Sequence, residues 1–416
     1  MRYYLLIFYL VYFLMPTSTT CAPQDMWINV FVHGTIGLRS HMNFSTFIRL
    51  MKDDIEETHY KKAVDQLRND PFFFKIQPIQ DLGLQPIQVP CKKNCSAASL
   101  FARAFEKNMT PNPQIKNLYY TFGWSGLLSI TERIKASKNL YTALEKEVQK
   151  LARFYPKRNI HIRLVCYSHG GSVALHLAEI PQKNLVIDEL LLFGTPIQKE
   201  TDYLIHDALF KKVYNFYSRK DLIQKMDCFS FKRFFSQRRF KKECLCEKLV
   251  QVELKVMMNK YPDSSRYHIN RSPSHTELWF FGWTLHSYRK NFITYPLPLG
   301  TFLPNFIDLL ATCAPDKQHV TITLYPDGTA RIKERNKNWT CPARWTELDK
   351  LHELQEEILT YAPPPFTDQE QTAHVNCSHK TTPEGLKKLE AKHAKKYTKS
   401  KKCRCCLCGS GMYDIP

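Results

Sequence analysis

The sequence predicts an α/β domain on a mostly parallel, doubly wound sheet, followed by a small C-terminal β-hairpin plus helix and a basic, Cys-rich tail. Three observations carry this. Runs rich in β-branched and aromatic residues recur at 26–35, 117–124, 159–168, 185–196 and 211–221, and helical spacing fills several of the stretches between them. These runs are nearly continuously apolar, as expected of strands covered on both faces. Beyond residue 312 the pattern changes to short alternating runs around Pro326-Asp327-Gly328, a hairpin signal.

The chain starts with "MRYYLLIFYLVYFLMPTSTTCAPQD", one Arg and then an apolar run of about thirteen residues. That is short for a membrane span and suits the apolar region of a secretory signal. Pro16 and small polar residues end it, and cleavage after Ala22 leaves Thr20 at minus three. Residues 1–22 are therefore assigned as a signal peptide, and the protein is expected to be secreted or held in the cell envelope. An uncleaved anchor, or lipidation at Cys21, is the alternative.

The domain itself is assigned to 23–312. "MWINVFVHGT", 26–35, is its first buried strand and ends in a His33-Gly34-Thr35 loop. Residues 44–110 are mixed and partly helical. "NLYYTFGW", 117–124, is the second strand, and 130–155 is a helix with charged faces. "NIHIRLVCYS", 159–168, is the third strand, with "GGSVALHLAEI" as its helix. "LVIDELLLFGTP", 185–196, and "KKVYNFYSRKD", 211–221, are the fourth and fifth. The segment 222–265 reads as an insertion holding a further strand, "LVQVELKVMM". "RYHINRSPSHTELWFF", 266–281, gives a short sixth strand and a loop carrying His275. Residues 313–362 form a hairpin-and-helix appendage, whose helix at 344–361 either packs on the domain or acts as a lid. Residues 363–416 are linker and tail.

Apolar content of 44% and charged content of 24% over 416 residues exclude a mostly disordered chain. The net charge of +20 is unevenly placed: residues 378–405 hold ten Lys/Arg against two Glu, and "KRFFSQRRFKK" spans 232–242. Such patches favour anionic partners. The tail is expected to meet an anionic membrane surface, and nucleic acid is not the expected partner.

Fourteen cysteines fit an exported protein with some disulfides. Cys91 and Cys95 share a loop, Cys228, Cys244 and Cys246 share one basic segment, and Cys313 and Cys341 flank the hairpin. None has zinc spacing with histidine partners, so no metal is assigned. The terminal "CRCCLC", with Cys403, Cys405, Cys406 and Cys408, stays open between metal binding, lipidation and cross-linking. Sequons such as those at Asn108 and Asn338 matter only in a eukaryotic secretory pathway.

Chemistry concentrates at Cys166-Tyr167-Ser168-His169-Gly170-Gly171. A serine hydroxyl is a poor nucleophile until a base takes its proton. A sharp strand-to-helix turn flanked by small residues exposes the hydroxyl and offers an amide at the helix start. The usual spacing is Gly-x-Ser-x-Gly; here Cys166 stands at the first position. The loop after the first strand can aim the Thr35 amide at a developing oxyanion, paired with the His169 amide. Asp221 follows the fifth strand and His275 comes later, so the order is Ser, Asp, His with each near a strand end.

The stretches "VFVHGT", "YSHGG", "LLLFGTP", "YNFYSRKD" and "SHTELWF" together resemble an α/β-hydrolase of the lipase/esterase type over residues 26–310, roughly two thirds of the chain. The resemblance implies Ser168 as nucleophile, His275 as base, Asp221 as acid, and Thr35 and His169 as oxyanion-hole donors. It implies hydrolysis of a carboxylic ester, a lipid ester among the candidates, through an acyl-enzyme and without a cofactor. Asp227 is a rival acid, with Asp221 then a helix cap, and His286 and His268 are rival bases. Trp124 either lines the acyl pocket or fills the core. His33 reads as a structural part of its loop, and Glu277 as surface charge. Two alternatives remain: acyl transfer or amide hydrolysis on the same fold, and a non-catalytic scaffold whose tail binds an anionic membrane or polymer.

Overall fold

β-branched and aromatic residues build the strands that the apolar runs predict. In the computed structural model these are β1 (Asp25–Val32), β3 (Ile115–Gly123), β4 (Asn159–Tyr167), β5 (Ile187–Phe193) and β6 (Phe210–Tyr217). β2 (Gly83–Pro86), β7 (Leu249–Asn259), β8 (His268–Arg271), β9 (His319–Leu324), β10 (Thr329–Glu334) and β11 (Thr340–Arg344) complete the sheet. The structure describes residues 25–36, 48–50, 52–68, 71–89, 96–224, 236–241, 245–259, 268–283 and 292–361. The expected signal, Cys91, Cys95, Cys228, Cys244, Asp227, His286, the linker and the tail lie outside them.

The strands lie in the order β11-β10-β9-β7-β6-β5-β4-β1-β3-β2, with β8 paired to β7. From β3 through β1, β4, β5, β6 and β7 to β9 every neighbour is parallel. β2, β8, β10 and β11 pair antiparallel. The α/β class and the mostly parallel sheet are therefore as the sequence predicts.

The helices are α1 (His59–Arg68), α2 (Pro71–Ile76), α3 (Ala97–Lys107), α4 (Ile130–Phe154), α5 (His169–Leu175), α6 (His275–Trp279), α7 (Leu303–Cys313) and α8 (Leu348–Tyr361). One core forms where Phe31, Val165, Phe193, Phe216, Val252 and Ile322 meet apolar residues of α3, α6, α7 and α8. A second forms on the opposite face, where Ile28, Val30, Leu164, Leu192 and Val213 meet α4 and α5. Burying both faces favours the near-continuous apolar runs. Among the described residues no helix is long and apolar enough to cross a membrane.

The structure adds detail at several of these places. The segment 222–265 is not a simple insertion: its β7 is an interior strand of the sheet, parallel to both β6 and β9. The C-terminal hairpin continues that sheet through β9. Its helix is packed rather than poised as a lid: Leu351, Leu354 and Ile358 enter the first core, and Glu357 ion-pairs with Arg103 and Lys107 of α3. The described cysteines Cys166, Cys246, Cys313 and Cys341 are free thiols, so the expected disulfides are not formed among them. Asn108 is a poor sequon: it is buried after α3, and its amide donates to the Thr301 carbonyl at 3.0 Å. Asn338 is exposed.

Candidate active site

The chain passes from β1 outward to β3 and returns to β4 on the other side of β1. A crevice opens beyond the strand C-termini at such a reversal, and ligands bind there in doubly wound sheets. β4 delivers Ser168 to this place and β1 delivers His33-Gly34-Thr35.

Ser168 adopts φ 51° and ψ −129° between β4 and α5. That conformation costs a non-glycine residue about 1–3 kcal/mol and persists only where its surroundings impose it. The surroundings are close. A Cβ on Gly34 would sit 2.7 Å from the Ser168 Cβ, and one on Gly170 would sit 2.5 Å from the His33 carbonyl oxygen. The turn and the loop after β1 pack against each other only because both positions are glycine. Cys166, standing where Gly is usual, points into the second core, and burial pushes its thiol well above the ordinary range. It is an inert small apolar residue there.

Asp221 follows β6, and His275 opens α6. His275 Nδ1 donates to Asp221 Oδ2 at 2.6 Å, and Ser168 Oγ lies 3.1 Å from His275 Nε2. The carboxylate fixes the proton on Nδ1, which leaves Nε2 to accept the serine proton. Asp221 keeps its cap as well: its Oδ1 accepts the Gln224 amide at 3.1 Å. Ser168 is 3% exposed, Asp221 1% and His275 9%, so the charges act at low effective dielectric. The three predicted residues thus form one hydrogen-bonded chain. The His268 backbone lies in β8, paired with Asn259.

The two oxyanion candidates flank the serine. His169 is the first residue of α5, and an amide at that position has no intrahelical acceptor. Its side chain is held from behind, where Arg133 Nη1 donates to His169 Nδ1 at 2.8 Å and to Gln198 Oε1 at 3.0 Å. Thr35 is partly buried in the loop after β1, and its hydroxyl has no partner among the described residues.

His33 is scaffold, as expected. Its Nδ1 donates to the Gly34 carbonyl at 2.7 Å, and Nε2 accepts from the Trp124 amide at 3.2 Å and from Arg68 at 3.3 Å. Burial first, and the Arg68 charge second, lower its pKa to about 3, so the ring stays neutral. Trp124 is buried and braces this loop, with Nε1 donating to the His33 carbonyl at 2.8 Å and its ring stacked on the imidazole.

His275 does not lie in a loop, and Glu277 is not surface charge. Ser274 and Glu277 form a capping box that starts α6 and places His275 at its first position. Glu277 is fully buried and ion-paired with Arg271. The Tyr167 hydroxyl donates to the His275 carbonyl at 3.0 Å, and Ser218 Oγ donates to the Pro273 carbonyl at 2.5 Å. Arg133, Tyr167, Ser218 and Glu277 are thus positioning residues that the sequence reading missed. For Glu277 the signal was present, because Ser274-His275-Thr276-Glu277 is the capping-box pattern. Among the described residues no group of three or more His, Cys, Asp or Glu could hold a metal ion.

No family model, curated protein or solved structure matches this chain.

Proposed function

We propose that the protein is a serine hydrolase of the α/β-hydrolase type that cleaves carboxylic esters. The observation that carries the reading is the chain Ser168–His275–Asp221, with contacts of 3.1 Å and 2.6 Å, on a serine held at φ 51°. Ser168 Oγ attacks the ester carbonyl carbon as its proton passes to His275 Nε2. The negative charge on the carbonyl oxygen is met by the Thr35 and His169 amides, each donor of this kind contributing about 10²–10³ in rate. The bond to the alcohol oxygen breaks, and that oxygen takes the proton from Nε2. Water then repeats the sequence on the acyl-enzyme and releases the acid. Transfer to an alcohol or amine would use the same groups, and competition between water and an added acceptor separates the two. A fluorophosphonate probe tests the reading directly. Labelling of the wild type, lost in Ser168→Ala and His275→Ala, supports it. A folded wild type that resists the probe overturns it and favours a non-catalytic scaffold.

A further inference from the structure

The second core stops short of β9. Beyond Leu249, which closes that core, the residues that β7 and β9 pair on this face are polar: Gln251 pairs with His319 and Glu253 with Thr321. Part of the basic run that the sequence singles out lies over this face. Phe240 plugs it into the second core, Gln237 bridges to Ile197, and the Phe240 amide donates to Gln251 Oε1 at 2.9 Å. A cleft of about 780 Å³ remains between this segment and the sheet, within the usual range for a ligand site.

Its lining is cationic. Arg219, Arg238, Arg239, Lys241 and Arg335 converge on it around His319, and no carboxylate lines it among the described residues. Carboxylates border it: Glu253 is 2.8 Å from Arg219, Asp202 is 4.0 Å from Lys241, and the Asp221 charge acts on Arg238. Arg238, Arg239, Lys241 and Arg335 are all half-buried, so water screens their repulsion less than it does on an open surface. Several groups are already fixed. Arg238 Nε donates to the Asp221 carbonyl at 2.9 Å, and Arg239 lies over the Tyr217 ring. Tyr217 OH lies 2.9 Å from His319 Nε2. Burial and the neighbouring Arg219 lower the His319 pKa, so the imidazole stays neutral.

We infer that this cleft is a binding site for a phosphate-bearing anion, next to the segment that carries Asp221. Guanidinium groups gathered with so little carboxylate match the geometry and charge of phosphate oxygens, which accept paired N–H donors. Binding does not depend on the serine's chemistry, so it stands or falls separately from the hydrolase reading.

The full-length chain with Ser168→Ala tests it without turnover. Titration calorimetry uses inorganic pyrophosphate and glycerol 1-phosphate, with acetate as the control. Flotation uses phosphatidylcholine vesicles with and without phosphatidylglycerol. Saturable binding that R239E/R335E weakens at least about tenfold, and that R239K/R335K weakens less because the charge stays while the paired donors go, supports the site. Binding confined to phosphatidylglycerol vesicles assigns a lipid headgroup; binding of the soluble phosphates assigns a free one. No saturable binding in either arm overturns the inference. So does binding that survives R239E/R335E, which would locate the affinity in the basic tail. Should charge reversal unfold the chain by circular dichroism, R239Q/R335Q is read by the same criterion.

Discussion

In β1, β3, β4 and β5 buried apolar residues reach both cores, while β9 and β10 are apolar on one face. Ile28 and Phe31 of β1 enter opposite cores, both fully buried; in β9, Ile322 is fully buried and Thr321 is half-exposed. The difference separates two kinds of work. Where both faces are packed, turns beyond the strand ends are over-determined, and a strained serine and close glycine contacts can persist. Where one face is left polar, cations can gather without burying an unpaired charge in a core.

On the proposed hydrolase reading, the sharpest way to break this comparison is to remove the nucleophile from the closed half. Ser168→Ala should lower kcat/KM on a soluble ester by about 10⁴-fold or more, and Asp221→Asn should approach that loss, because the wrong imidazole tautomer is then favoured. Thr321→Ala, on the polar face, should leave the rate unchanged. Steady-state kinetics with folded variants decides this. A Ser168→Ala variant of near wild-type rate would overturn the proposed role of Ser168.

Two buried carboxylates sharpen the contrast next. Glu277 faces Arg271, whose side chain is 10% exposed, while Glu253 faces Arg219, whose side chain is 63% exposed. Removing Glu277's charge strands a buried guanidinium; removing Glu253's lets Arg219, and Lys255 3.6 Å away, turn to water. Urea unfolding should therefore show Glu277→Gln destabilised by about 3–5 kcal/mol and Glu253→Gln by about 1 kcal/mol. Glu277→Gln should also slow catalysis, since the capping box positions His275. Equal costs at the two sites would remove the distinction drawn between the halves.

The strand faces give the third contrast. Phe31→Ala should cost about 3–5 kcal/mol, and Ile28→Ala and Ile322→Ala about 2–5 kcal/mol each. Thr321→Ala should fall within about 0.5 kcal/mol of wild type. Comparable losses at Thr321 and Ile322 would mean that something covers the polar face.

The same contrast governs what the sequence could show. Apolar runs buried on both faces stand out, so β1, β3, β4, β5 and β6 were legible, and with them the strand ends that carry Thr35, Ser168 and Asp221. The alternation of "HVTITL" correctly gave a half-covered strand, but nothing local says which sheet it joins. The strand β7 was readable in "LVQVELKVMM", but the basic segment before it made its interior place in the sheet look like an insertion. Arg133 was readable in part: it falls on the stripe of Ala136, Ser137, Leu140 and Leu144 that α4 buries. A cation on an apolar stripe signals a buried partner, though not that the partner is His169. Cys166 misled least, because a small apolar side chain at that position needs only the core beneath it.

A last contrast compares two histidines. His33 in the closed half has its pKa lowered to about 3, by burial first and Arg68 second, from an ordinary value of 6.5. His319 in the open half is lowered by burial and then by Arg219. Both bind a proton less readily folded than unfolded. Below pH 6.5 the unfolded chain therefore takes up more protons, and stability falls as pH falls, for His33 down to about pH 3. Stability from urea unfolding should accordingly drop between pH 7.5 and pH 4.5. His33→Gln, which keeps an acceptor for the Trp124 amide but does not titrate, should flatten that slope more than His319→Gln, because His33 is fully enclosed and His319 is not. Equal flattening by the two variants would mean that the closed half desolvates its imidazole no more than the open half does, and the division between the two would lose its electrostatic basis.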